Sequence, residues 1–175
     1  NDILIVSDSN FKVKYRIEDE EIGMIRCGIQ DGNGIVWLGS LSSGLIRLDP
    51  STRSIKRFFA EGHLKIYSDS RSISSIYSEN DSILWLGPTR YGLIRFNKNT
   101  ENYQQFLFNS QGFKTPTINS IVKQSNGNLL LGTKGNGLIN FAPETQNARR
   151  LRHLETDLVQ SIVLDDEDRF WISTN

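Results

Sequence analysis

Two histidines, His63 and His153, and one cysteine, Cys27, are the side chains of this 175-residue sequence best suited to metal binding or nucleophilic attack. Neither histidine has a second His, Cys or carboxylate at the spacing of a zinc site. Cys27 has no basic group arranged to lower its pKa, so a structural thiol is expected. In "GSLSSG", Ser42 lies three residues after Gly39, whereas a nucleophile elbow needs Gly-x-Ser-x-Gly. "DGNGI" begins like a calcium loop with Asp31 and Asn33, but Ile35 stands at the next ligand position. The acidic run from Asp165 to Asp168 reads as a solvated hairpin tip. No glycine run leads from a strand into a helix, as a phosphate cradle requires. No catalytic residue, metal ligand or cofactor is therefore assigned, and recognition is the chemistry left. Its most distinctive candidate is Arg90-Tyr91, where a flat ring beside a guanidinium can stack on a sugar and hydrogen-bond its hydroxyls or a carboxylate.

The totals narrow the partners. Twenty basic residues balance twenty acidic ones, giving a formal net charge of zero. Without a basic stripe, nucleic acid is not expected as a partner. No apolar stretch approaches the ~20 residues that span a bilayer, so no membrane contact is expected within this segment. No signal-peptide pattern opens the sequence. A single cysteine excludes an internal disulfide framework.

The elements that would position Arg90 and Tyr91 come from an internal repeat. "WLGSLSSGLIRLD" returns as "WLGPTRYGLIRFN". Trp37, Trp85, Leu130 and Trp171 recur at a period of ~45 residues, within the range of propeller blades and some helical arrays. Gly39, Gly87 and Gly132 follow the first three anchors two residues on, and Gly44, Gly92 and Gly137 come five residues after those. A third landmark, Thr-x-x-Ile-x-x-Phe in its first copy, starts at Thr52, Thr100 and Thr145. Short runs such as "SISSIYS" and "TINSIVK" precede the anchors, separated from them by turns rich in Gly, Asn, Asp and Ser. Four short strands per unit follow, and helical periodicity is confined to "ETQNARRLRHLE".

The fold class predicted is all-β, a β-propeller of four-stranded antiparallel blades. Its units are a half blade over 1–21, blades over 22–70, 71–116 and 117–157, and a half blade over 158–175. These four blade equivalents either close a small ring by pairing the halves or form a segment of a larger propeller, which the abrupt stop favours. Cys27, Ser75, Ser120 and Ser161, each ten residues before an anchor, lie on the innermost strands, where space favours small side chains. The recurring tryptophans are expected in the core between blades.

At these residues the sequence resembles the two-component regulator propeller repeat. The first copy carries Asp31, Gly34, Trp37, Leu38, Gly39 and Ser40, then Gly44, Leu45, Arg47 and Asp49. The second has Glu79 and Pro88 where Asp and Thr are usual, and the third has Leu130 at the Trp and Asn140 at the Arg. The resemblance implies the periplasmic sensor part of a membrane-anchored histidine kinase, often of the hybrid kind. Such sensors respond to oligosaccharides from complex glycans, and two seven-bladed propellers precede an immunoglobulin-like domain, a membrane helix and the kinase. An oligosaccharide ligand, the rest of the sensor chain and a homodimer are the partners it implies.

Propeller ligands sit at the end where second-to-third-strand loops and interblade connections emerge. Here those loops are Ser40 to Ser43, Pro88 to Tyr91 and Lys134 to Asn136. The connections are Ala60 to Arg71, Leu107 to Thr117 and Arg152 to Asp157. They vary between copies while the framework stays fixed, as specific sites on a scaffold do. Arg71 and Lys134 therefore join Arg90 and Tyr91 as candidate ligand-binding residues. A protein-interaction scaffold without a small ligand is the alternative, and a propeller-type lyase or hydrolase a more remote one.

Overall fold

Each polar turn separates two strands, and the β-branched and aromatic runs between the turns pair as short antiparallel ladders. The computed structural model describes residues 3–174 apart from 8, 19–21, 60–71, 91, 109–110, 114–115, 153 and 155. β1 (Ile3–Ser7) and β2 (Val13–Glu18) form a hairpin. Blade 1 is the sheet of β3 (Ile25–Gln30), β4 (Val36–Ser40), β5 (Leu45–Asp49) and β6 (Ser54–Phe58). Blade 2 comprises β7 (Ile73–Ser78), β8 (Ile83–Pro88), β9 (Leu93–Asn97) and β10 (Tyr103–Phe106). Blade 3 comprises β11 (Thr117–Lys123), β12 (Leu129–Lys134), β13 (Leu138–Ala142) and β14 (Asn147–Leu151). A second hairpin, β15 (Val159–Leu164) with β16 (Phe170–Thr174), follows.

Within each blade the strands meander in chain order, and the first strands β3, β7, β11 and β15 stand next to one another in succession. This is the predicted propeller architecture. The two hairpins remain separate two-stranded sheets, so the described chain is an open arc and not a ring closed by their pairing. No helix among the described residues is long and apolar enough to cross a membrane.

The repeat is a device for sealing blade against blade. Trp37 packs on Phe58 of its own blade and Phe96 of blade 2, with ring centroids 6.0 and 5.9 Å away. Trp85 repeats this with Phe106 and Phe141 at 5.7 and 6.3 Å. Trp171 departs from the expectation of a core residue. It is 62% exposed, against 2% for Trp37 and 1% for Trp85. Among the described residues β16 has no third or fourth strand beside it and no following blade, so neither aromatic partner exists.

The glycine of Trp-Leu-Gly is set by close approach. A Cβ on Gly39 would lie 2.8 Å from the Ile73 carbonyl oxygen, and one on Gly87 2.7 Å from that of Ile118. Strand two of one blade thus touches strand one of the next, where no side chain fits. The small residues of the first strands bridge the same seam. Ser75 Oγ donates to the Ile118 carbonyl at 2.8 Å, Ser120 Oγ to that of Ile162 at 3.4 Å, and Cys27 Sγ to that of Ile73 at 3.8 Å. Space alone was expected to favour small residues there; the hydroxyl also satisfies a carbonyl of the neighbouring blade. Burial pushes the Cys27 thiol up to about 11, in keeping with a structural role.

Candidate functional site

The loops joining second to third strands are built around one hydroxyl each. Ser40 Oγ donates to the Ile22 carbonyl at 2.8 Å and accepts from the backbone N–H groups of Ser42 and Ser43, both at 3.2 Å. Thr133 Oγ1 donates to the Gly137 carbonyl at 2.8 Å and accepts from Asn136 N at 3.2 Å. Pro88 holds this position in blade 2 and has no hydroxyl. Its neighbour anchors the loop differently: Thr89 Oγ1 donates to Ser72 Oγ at 2.9 Å and lies 3.0 Å from Ser74 Oγ. Arg90 follows at φ 79°, in a left-handed conformation that costs a non-glycine residue free energy, and its side chain is exposed.

Lys134 is exposed too, as the last residue of β12 and not within a loop, and its backbone bridges to Leu158. Arg90 and Lys134 thus occupy the same end of neighbouring blades. Arg71 and Tyr91 lie outside the described residues, as do His63 and His153. Sequence reasoning missed a second cationic group here. A cleft of about 480 Å³ is lined by Arg149, Arg150 and Arg152 together with Gln111 and Asn136, and Arg150 pairs with Asp157. The run "ARRLRH" carried that signal, but it was weighed only for helical periodicity.

At the opposite end, the first turn of blade 1, of blade 2 and of the second hairpin holds a carboxylate that organises the tryptophan six residues later. Asp31 Oδ2 accepts from Trp37 Nε1 at 2.8 Å, Glu79 Oε2 from Trp85 Nε1 at 2.9 Å, and Asp165 Oδ2 from Trp171 Nε1 at 2.7 Å. Glu79 therefore does the work of the usual Asp. The run at Asp165 is a hairpin tip, where the backbone N–H groups of Glu167 and Arg169 both donate to Asp165 Oδ1 at 3.0 Å. Asp31 Oδ1 likewise accepts from Asn33 N and Ile35 N, so the resemblance to a calcium loop comes from a turn. In blade 3 the set changes together: Leu130 replaces the indole, Gln124 the carboxylate and Asn140 the arginine. Gln124 Nε2 donates instead to Asn140 Oδ1 at 2.7 Å.

A cation from the next blade completes each buried carboxylate. Lys98 reaches Asp31 at 3.1 Å and Lys123 reaches Glu79 at 2.5 Å. Burial alone raises both carboxyls, but the bonds from Trp37 and Lys98 outweigh it at Asp31, and those from Lys123 and Trp85 at Glu79. Both are held below the ordinary carboxylate range. Beside Glu79 and Lys123 lies a cleft of about 510 Å³ between blades 2 and 3.

No family model matches the sequence, and no curated protein matches it. Among solved structures, the chain superposes on the extracellular domain of BT4673 from B. thetaiotaomicron, which one structure names a one component system (TM-score 0.76, 22% identity) and another a hybrid two component system. The second match has a TM-score of 0.74 and 21% identity over 95% of this chain. The chain spans 23% of that domain's length. It also matches the extracellular domain of BT3049 from the same organism, with a TM-score of 0.64 and 23% identity over 85% of this chain and 18% of that one. The WD40 β-propeller domain of Doa1 gives a TM-score of 0.72 at 8% identity, over 93% of this chain and 51% of that one. These likenesses establish the fold. It is a β-propeller.

Proposed function

We propose that this chain is a non-catalytic, ligand-sensing propeller segment from the extracellular, periplasmic region of a bacterial two-component sensor. Its ligand would be an oligosaccharide, and its output a change passed to a histidine kinase elsewhere in the sensor. The observation that carries this reading is the likeness to the BT4673 extracellular domain over 95% of the chain, at a TM-score of 0.74. The exposed Arg90, held at φ 79° on a loop tied down by Thr89, supports a recognition role for that end. Lys134 stands on the next blade, and Arg71 and Tyr91 complete the candidate set by sequence position. Signalling requires that the ligand bind two states of the propeller, or of a homodimer, with different affinity, since equal binding shifts no equilibrium.

Isothermal titration of the protein against neutral and acidic oligosaccharides tests this reading. Saturable heat with one class, reduced in Arg90→Ala, is the expected result. Turnover of any sugar would point to a lyase or hydrolase instead. A protein-interaction scaffold without a small ligand is the alternative reading. A stable protein complex in a pull-down, with no sugar bound, would favour it.

A further inference from the structure

The seam between blades 1 and 2 is closed at its turn end by two ion pairs, and the seam between blades 2 and 3 has lost both. In the first seam Lys98, in the β9–β10 turn, reaches back to Asp31, with side chains only 5% and 4% exposed. Farther out, Lys56 of β6 meets Glu101 of the same turn at 2.6 Å. The strand registers give the counterparts one blade on. Phe96 pairs with Leu84 as Phe141 pairs with Leu129, which sets Pro143 at the place of Lys98. Gln104 stands where Lys56 does and Gln146 where Glu101 does, each at the same distance from its Thr landmark. Neither counterpart pair can form a salt bridge.

Glu79 is paired instead by Lys123, which approaches from the inner strand β11. At the place of Lys98 the second seam has Pro143, and there a cleft of about 510 Å³ opens, with Pro143 and Gln104 in its lining. Its size falls within the range of small-molecule sites.

Its chemistry selects a class of ligand. Two cations, Arg95 and Lys123, face two carboxylates, Glu79 and Glu144, so the lining carries no net charge. The remaining polar groups are amides and a hydroxyl. Gln104 shares a cross-strand row with Arg95 and Trp85 on the blade 2 face. Asn126 Oδ1 accepts from Asn128 N at 2.9 Å, which leaves its amide nitrogen as a donor in the turn. Trp85 and Phe106 form a floor but are 1% and 5% exposed, so hydrogen bonding and not ring stacking must supply most of the recognition. Mixed donors and acceptors without net charge match the hydroxyls of a neutral sugar.

We propose that the cleft between blades 2 and 3 binds a neutral oligosaccharide unit, at the end of the strands opposite Arg90 and Lys134. This rests on the sensing reading above and names a second place and a ligand class for it. The test is amide NMR of the ¹⁵N-labelled protein titrated with neutral gluco-, xylo-, manno- and galacto-oligosaccharides and, in separate titrations, with acidic oligosaccharides. Saturable shifts are expected at Asn126, Gly127, Asn128 and Thr145 with at least one sugar. Pro143→Lys, which restores the residue of blade 2, should put a long cationic side chain into the cleft and weaken that binding at least about tenfold. Gln104→Ala should weaken it without depending on how the new lysine folds. Sugar binding that survives both cleft variants, with shifts near Arg90 and Lys134, overturns the cleft assignment while leaving the sensing reading intact. Binding of acidic sugars alone overturns the neutral class. No binding by any neutral or acidic oligosaccharide overturns the sensing reading and this inference together.

Discussion

Lys98 and Asp31 illustrate how much a single residue contributes to the seams. Both are almost wholly buried, and Asp31 also takes the Trp37 indole, so loss of the lysine leaves a carboxylate short of a partner in a dry site. Breaking a buried pair from one side costs about 3 kcal/mol or more. Lys98→Met is therefore expected to lower the urea-unfolding free energy by about 3 kcal/mol. Lys123→Met should cost about 1 kcal/mol or less, since Lys123 and Glu79 are 36% and 17% exposed. Equal losses would contradict the difference between the seams. The same carboxylates set the response to acid. Asp31 and Glu79 have lowered folded pKa values, and the bonds from Trp171 and Arg169 bring Asp165 to about 2. A carboxyl depressed on folding stabilises the protein above its unfolded pKa of about 4, and that contribution disappears as pH falls through the folded value. The urea midpoint should accordingly hold from pH 7 to 5 and fall toward pH 2, less steeply in Asp31→Asn. A midpoint that rises on acidification would exclude these pairings.

At the scale of the strand, equal residues in equal repeat positions have unequal worth. Trp85 and Trp171 each sit on a second strand and each donates to a carboxylate six residues back, yet only Trp85 is enclosed between Phe106 and Phe141. Trp85→Ala is expected to cost about 3–5 kcal/mol, and Trp171→Ala to stay within about 0.5 kcal/mol of the parent. Urea denaturation followed by circular dichroism checks both, and comparable losses would mean that β16 is covered in solution. The strands are legible in the sequence because each seam needs a large apolar anchor, a glycine two residues on and a small residue ten before it, so the packing writes itself as a period. The lysines are not. Lys98 and Lys123 come from different positions of the repeat and meet carboxylates 67 and 44 residues away, so no local pattern marks them. The Asp31, Glu79 and Asp165 turns were visible as turn chemistry, but their bond to the indole needed the folded hairpin.

Across the whole molecule, stability is close to a sum over neighbouring blades, as in other repeat proteins. The proposed binding places lie where blades 2 and 3 depart from the repeat. Pro88 is a departure from the repeat in the sequence, and in the structure its loop is held instead by Thr89 against the hydroxyls of Ser72 and Ser74. Pro143, Gln104 and Gln146 are not legible in that way, because their meaning is the absence of partners that only the first seam displays. Of the residues proposed at the other end, Arg90 and Lys134 are exposed, and Arg71 and Tyr91 lie outside the described residues. All of these assignments require that the blades be shut against one another, and the protein carries its own reporter of that state. Cys27, the sole cysteine, lies in the seam between blades 1 and 2 against the Ile73 carbonyl. The most direct measurement is its reaction with a thiol-specific disulfide reagent at pH 8 across a urea series. A sealed seam predicts slow modification in buffer, accelerating to the rate of an unfolded thiol only through the unfolding transition. Immediate stoichiometric modification of the native protein would contradict it.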